Sequence, residues 1–437
     1  MKRARIIYYF IRPIARIAMW VYYRKIHLSN VERIPVGKPV ILSINHPTGF
    51  TEPILLAVFL KRPLYYLVRG DFFEKPVFSF LLRSLNMVPI FRRRDTHFRG
   101  VAQNLSTFEE CYQTLRANHL LCIFPEGNTR HEKILRPLQK GLGRIAWGYL
   151  ERFPDVRELY IVPVGVNYTY AEQPRSTVMI DFGNPINLAA MREAIPHGRM
   201  RVVSELTRTL YNRMADRIVR IPPDREEPAE HLLRLARSAH PEAVFPVRTR
   251  REEPLMRELA IARRVRQMDE EQLTELLMQS RPYFRELREL GLTDRMMIGP
   301  RANTPANTLL LLLGALPALA GYLFVWPPRR LACWIKDTKV KRVEFYTPVL
   351  QAAGLGAFLL YYILWLVLAA STGRWEILLL SLLLGILGYG SILWQELVER
   401  WRQSRKFRHL PEKDRLKLKQ KRAALVQAVE TRPSPLQ

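Results

Sequence analysis

An α/β domain with a mainly parallel sheet flanked by helices, followed by a C-terminal α-helical membrane region, is the architecture the sequence predicts. Short apolar runs at 39–45, 64–69, 87–91, 120–124, 159–168 and 176–182 alternate with helical patterns, the rhythm of strands joined by crossover helices. Late in the chain, the uncharged runs 348–370 and 377–395 hold 23 and 19 residues. At about 1.5 Å per residue each is long enough for a hydrocarbon core of about 30 Å. The 437 residues allow two or more units with full cores. Cys111, Cys122 and Cys333 are too few for a disulfide framework, and their spacing fits no zinc or haem pattern.

The first 25 residues carry seven bases and no acid, interleaved with Ile6, Tyr8, Phe10, Ile14, Met19 and Trp20. Arg12, Pro13 and Arg16 interrupt any secretory apolar core, so 1–30 is expected to be an amphipathic membrane-docking helix lying in the headgroup layer. The α/β domain is expected over 31–222. Its last helix is marked by Val203, Leu206, Leu210, Met214 and Ile218, and ends at Pro222 and Pro223. A charged helical connector, cut by Pro228, Pro241, Pro254 and Pro282, is expected over 223–305.

The membrane region is expected over 306–400. Residues 309–326 are apolar but hold Gly314, Pro317 and Gly321, and six bases follow in 327–346. A crossing there would put those bases outside, against the positive-inside tendency, so a re-entrant segment is expected at 309–326, with transmembrane helices at 348–370 and 377–395. A basic cytoplasmic tail follows over 401–437, with 412–437 expected to be partly disordered. The protein is thus expected to be a multi-pass membrane protein with its α/β domain on the cytoplasmic face.

Lys plus Arg total 68 against 40 Asp plus Glu, a net charge of +28. Such a chain suits nucleic acid or an anionic membrane. The apolar anchors favour membrane lipid, and without a helix-turn-helix, zinc-finger or RNA-binding signature no nucleic-acid partner is expected.

Three stretches carry chemistry. In 41–53, His46 ends a strand and Glu52 follows six residues later, at the start of an apolar helix. Pro47 keeps His46 out of helical geometry and Pro53 suits the first helical turn, so the loop can fold the carboxylate onto the imidazole. A base with an orienting acid can take the proton of an attacking hydroxyl. In 86–95 a strand runs into Arg92, Arg93 and Arg94, whose guanidinium forks match phosphate. In 121–130 an apolar strand empties into a turn with Glu126 and Gly127, just outside the strand ends where parallel sheets bind ligands. Lys140 follows, and then an apolar strand interrupted by Pro163.

Taken in order, these stretches resemble the four blocks of the glycerophospholipid acyltransferase superfamily, which acylates glycerol 3-phosphate and 1-acylglycerol 3-phosphate. The resemblance covers about 35–190. It implies direct attack of an acceptor hydroxyl on an acyl thioester, with no metal, no cofactor and no acyl-enzyme. The donor would be acyl-coenzyme A or acyl carrier protein. By the same resemblance His46 is the general base and Glu52 its orienting acid. Arg92, Glu126 and Gly127 form the acceptor site, and Pro163 belongs to the acyl-side wall. Arg130 and Lys140 are added on charge grounds as phosphate contacts.

The usual signature has an aspartate five positions after the histidine, where this chain has Thr51. A fungal-type group, acting on glycerol 3-phosphate or dihydroxyacetone phosphate, has one extra loop residue, as from His46 to Glu52 here. Residues 341–345 also resemble that group. Two other readings stay open: a catalytically silent lipid-binding adaptor, and an acyltransferase for a lyso-aminolipid acceptor.

Overall fold

Among the described residues of this computed structural model (2–91, 99–195, 198–299 and 302–430, with side chains at 2–6, 99–104 and 428–430 left aside), nine strands form one sheet. They are β1 (Lys25–Ser29), β2 (Val40–Ile44), β3 (Leu64–Arg69), β4 (Met87–Ile90), β5 (Leu120–Ile123), β6 (Tyr160–Tyr168), β7 (Thr177–Phe182), β8 (Ile186–Asn187) and β9 (Arg248–Thr249). The order is β4-β3-β5-β2-β6-β7-β1-β9, with β8 beside β6. Every pairing is parallel except those of β6 with β7 and β8. This is the mainly parallel sheet expected from the alternating apolar runs.

Around the sheet run α1 (Lys2–Tyr22), α2 (Thr51–Phe59), α3 (Pro76–Ser84), α4 (Arg99–Arg116), α5 (Gly141–Arg152), α6 (Leu188–Ala194) and α7 (Arg199–Ala215). Strand side chains alternate faces, and β2 shows how the two layers form. Val40, Leu42 and Ile44 pack with Tyr8, Ala15 and Met19 of α1 and with Leu55 and Leu56 of α2. Ile41 faces the other way, onto Cys111 of α4, Ile145 of α5 and Leu206 of α7. Each fully buried aliphatic side chain contributes about 1.5–3 kcal/mol.

The chain divides into two compact units. The first comprises Met1–Arg220, Val244–Met256 and Val340–Val349; the second comprises Ile221–Ala243, Arg257–Lys339 and Leu350–Gln437. The sheet unit is therefore larger than 31–222. It takes in β9, whose Thr249 Oγ1 meets His27 Nδ1 at 2.6 Å, and Pro246, whose carbonyl receives Lys25 Nζ at 2.7 Å.

The first thirty residues differ from expectation. The helix stops at Tyr22, and 25–29 form a fully buried strand, because backbone pairing to β7 and β9 accommodates polar side chains that have partners. Two of the bases expected on lipid instead cap α2. Arg16 Nε and Nη2 donate to Val58 O at 3.0 and 2.7 Å, and Arg12 donates to Leu60 O. Cations at the last carbonyls of a helix satisfy orphan acceptors and oppose the dipole.

The second unit holds α8 (Glu226–Ala239), α9 (Glu253–Gln267, entering from the first unit), α10 (Glu270–Glu289), α11 (Pro305–Lys339), α12 (Tyr346–Thr372, also entering from the first unit), α13 (Glu376–His409) and α14 (Glu412–Glu430). The expected re-entrant turn at 309–326 is not there: α11 is one helix of 35 residues. Its glycines serve close packing rather than a reversal. A Cβ on Gly321 would lie 2.2 Å from the backbone of Leu387, and one on Gly314 would lie 3.0 Å from Trp394. Trp394 Nε1 donates to Leu311 O and Trp401 Nε1 to Thr308 Oγ1, so α11 and α13 run antiparallel. Among the described residues three helices, Pro305–Lys339, Val343–Thr372 and Glu376–His409, are long and apolar enough to cross a membrane.

The tail also differs. Residues 412–430 are helical, because α14 buries Leu418 and Leu425, pairs Lys421 with Glu286 on α10, and places Arg422 Nε 3.1 Å from Asp294 Oδ1.

Candidate active site

The parallel strands β2 and β5 end beside each other, and the loops leaving them carry the reactive groups. Asn45 continues the sheet past β2: its Nδ2 donates to Val166 O at 2.9 Å and its Oδ1 accepts from Val166 N at 2.7 Å. The amide side chain thus holds the strand end against β6 and fixes where His46 begins. Phe124, just after β5, stacks on the His46 ring with centroids 4.0 Å apart and an interplanar angle of 22°.

Glu52 lies in the first turn of α2, where an anion is favoured by the helix dipole. Its Oε2 is 3.0 Å from His46 Nδ1. Oε1 accepts from Thr48 N at 3.0 Å, Thr48 Oγ1 at 2.6 Å and Tyr168 Oη at 3.1 Å. The carboxylate is fully buried, while the His46 side chain keeps 14% of its surface exposed. Burial, with the Glu52 charge beside it, pushes the Tyr168 phenol well above its ordinary range, so it stays a donor. A carboxylate ringed by donors holds Nδ1 as the protonated nitrogen, which makes Nε2 the basic one. The structure brings His46 and Glu52 together across the loop between β2 and α2.

Glu126 is buried, and its carboxylate accepts from protein donors on both oxygens. Its Oε1 accepts from the His46 backbone N at 2.9 Å, and its Oε2 accepts from Arg136 Nε at 2.7 Å and Arg136 N at 3.1 Å. Arg136 Nη2 also donates to Asn128 O at 2.9 Å. The turn is closed by Gly127, whose φ of 73° is a left-handed value suited to glycine, and by Gln139 N donating to Pro125 O at 2.7 Å. Glu126 therefore ties the β5 loop to the His46 backbone. Arg136 was missed in the sequence reading, since a single arginine ten residues beyond Glu126 has no motif around it.

Arg130, Lys140 and Pro163, also expected at the site, have partners of their own. Arg130 is exposed and 3.7 Å from Glu132, and Lys140 Nζ donates to Ser204 Oγ at 3.0 Å. Pro163 sits within β6 opposite Ser43, its carbonyl accepting from Gly183 N at 2.8 Å. Arg92 lies outside the described residues.

Residues 340–349 complete the loop from a distant part of the chain. Gly49 N donates to Glu344 O at 3.1 Å, and the Phe50 and Phe345 rings lie 6.1 Å apart. Thr347 Oγ1 donates to Ala171 O at 2.5 Å and meets Tyr22 Oη at 2.9 Å. The Arg342 guanidinium lies 2.9 Å from Glu344 Oε1.

Comparison with known proteins places this arrangement. Residues 25–167 match the Acyltransferase family model. Two Saccharomyces cerevisiae proteins are similar over short stretches. Glycerol-3-phosphate O-acyltransferase 1 is 35% identical over 81 residues, covering 18% of this chain and 10% of that protein. Glycerol-3-phosphate O-acyltransferase 2 is 29% identical over 83 residues, covering 19% and 11%. The chain thus spans about a tenth of the length of these curated relatives. The crystal structure of the 1-acyl-sn-glycerophosphate acyltransferase PlsC from Thermotoga maritima is similar with a TM-score of 0.34 at 16% identity, covering 48% of this chain and 81% of that chain. Residues 25–167, which carry β1 to β6 and the His46–Glu52 loop, are an acyltransferase-family domain.

Proposed function

We propose that this protein is an O-acyltransferase that moves a fatty acyl group from an acyl thioester to a hydroxyl of glycerol 3-phosphate or 1-acylglycerol 3-phosphate. The observation that carries the reading is the His46–Glu52 pair, with Nδ1 held at 3.0 Å by a buried carboxylate at the strand ends. His46 Nε2 takes the proton of the acceptor hydroxyl as its oxygen attacks the thioester carbonyl. The new C–O bond forms, the C–S bond breaks, and the proton passes from His46 to the leaving thiolate. Glu52 holds the tautomer and stabilises the imidazolium, and Glu126 holds the His46 backbone.

The short similarity to the two yeast glycerol-3-phosphate O-acyltransferases supports a glycerol-phosphate acceptor, with Arg92, Arg130 and Lys140 as the cations that would meet its phosphate. The donor is the thioester of coenzyme A or acyl carrier protein. The expected orientation, with catalytic unit and basic tail both on the cytoplasmic face, needs two crossings, by Val343–Thr372 and Glu376–His409, with α11 outside the count; a reporter fused after Gln437 that is active on the opposite face would refute this orientation. The acceptor is tested with one labelled acyl-coenzyme A offered against glycerol 3-phosphate, 1-acylglycerol 3-phosphate and a lyso-aminolipid. Transfer to a phosphate-bearing acceptor is expected. Transfer to the lyso-aminolipid alone would overturn the acceptor assignment, and release of no thiol with any of them would favour a lipid-binding adaptor.

A further inference from the structure

Helix α3 has the sequence Pro-Val-Phe-Ser-Phe-Leu-Leu-Arg-Ser, and Val77, Phe78, Phe80 and Leu81 on it are exposed, by 78%, 55%, 62% and 41%. Phe72, just before it, is exposed as well. A helix apolar round most of its circumference is at rest in a core or in lipid, and contiguous exposed apolar surface marks an interaction site. This surface does not stand alone. Helix α1 packs against α3 and turns Phe10, Ile17 and Trp20 outward. At its other end the Phe72 ring meets Phe50 edge-on, with centroids 6.2 Å apart, and Phe50 lies in the loop between His46 and Glu52. An apolar surface therefore runs from α1 across α3 to the loop that carries the base.

We propose that α3 and Phe72 insert into the acyl boundary of an anionic bilayer beside α1, making a docking surface of the catalytic unit. Charge and composition select lipid as the occupant. The chain carries a net charge of +28, which draws it to anionic headgroups, and Lys75 stands exposed at the start of α3. Phe and Leu on α3 beside Lys75, with Phe10 and Trp20 on α1, are the composition of segments lying in the interface plane. The consequence is positional: the catalytic loop meets the bilayer at its own edge of the sheet, so a lipid acceptor reaches His46 laterally and an acyl product returns the same way.

The test reads depth rather than turnover, so it stands or falls apart from the proposed chemistry. The full chain carries Cys333→Ser, with buried Cys111 and Cys122 left in place. A single cysteine is introduced at Phe78, Phe80 or, as the control, Val36. Val36 is exposed and precedes β2, at the sheet edge opposite the His46 loop. Each variant is labelled with an environment-sensitive fluorophore and reconstituted in vesicles of phosphatidylcholine with phosphatidylglycerol, with and without doxyl-labelled lipid. The expected result is blue-shifted emission at 78 and 80, quenched by doxyl lipid several-fold more than at 36. Equal quenching at all three sites would overturn the proposal. So would a blue shift at 78 and 80 without lipid quenching, which would assign the surface to a protein partner or a second copy.

Discussion

His46 Nδ1 stands 3.0 Å from Glu52 Oε2, and that carboxylate, fully buried, accepts three further hydrogen bonds from Thr48 and Tyr168. The imidazole is thus oriented by a group that is itself locked by the first turn of α2 and by β6.

Glu52→Gln places an amide where four donors converge, so one of its N–H groups faces a donor. Stability is expected to fall by about 1–3 kcal/mol, read from the shift of a denaturant midpoint. Turnover is expected to fall by roughly 10²–10⁴-fold as the tautomer is lost, whereas Glu52→Asp, which keeps the charge on a shorter arm, retains a measurable part.

The Tyr168 phenol is raised by burial and then by the Glu52 charge. A raised folded-state value means its contribution to stability is complete below the unfolded value of about 10 and is lost as pH rises beyond it. Stability of the wild type should therefore decline above about pH 10, and Tyr168→Phe should show a shallower decline at the cost of about 1 kcal/mol at neutral pH. Denaturant midpoints across pH 7–11 (a range of roughly four units about the phenol's ordinary value) check both slopes.

Arg136 and Glu126 form an ion pair of 2.7 Å with side chains only 14% and 1% exposed. Removing one partner leaves the other charge buried, so Arg136→Ala should cost roughly 3–5 kcal/mol. It should also loosen the His46 backbone, so turnover should drop along with the midpoint. An unchanged midpoint would remove Arg136 from this role.

A Cβ on Gly49 would fall 2.6 Å from the Phe345 ring. Gly49→Ala is expected to destabilise by about 1–3 kcal/mol, as overpacking does. Adding Phe345→Ala should restore part of that loss, a coupling that a double-mutant cycle measures directly. Full additivity would mean that 340–349 does not brace the catalytic loop.

Much of this was legible in the sequence because period-two and uncharged runs are local signals. The expected strands at 64–69, 120–124 and 159–168 match β3, β5 and β6 to within a residue at each end. The His46–Glu52 contact was legible because the two prolines restrict the loop between strand and helix. What escaped was long-range. Strand β1 reads as polar, and partners of its buried Lys25 and His27, Pro246 and Thr249, stand more than two hundred residues away. Arg136 gains its place through Glu126 and Asn128 O, and the close packing of Gly321 on α13 joins residues more than sixty positions apart. Helix α14 forms because Leu418 and Leu425 find cover, which its charge-rich composition does not announce.

The most direct test of the central claim is labelled acyl transfer by His46→Ala in the 437-residue chain, with its denaturant midpoint measured in parallel. Turnover is predicted to fall by roughly 10²–10⁴-fold with the midpoint kept within about 1 kcal/mol of wild type. A variant that folds equally well and still transfers acyl groups at the wild-type rate would contradict the assignment of His46 as the base.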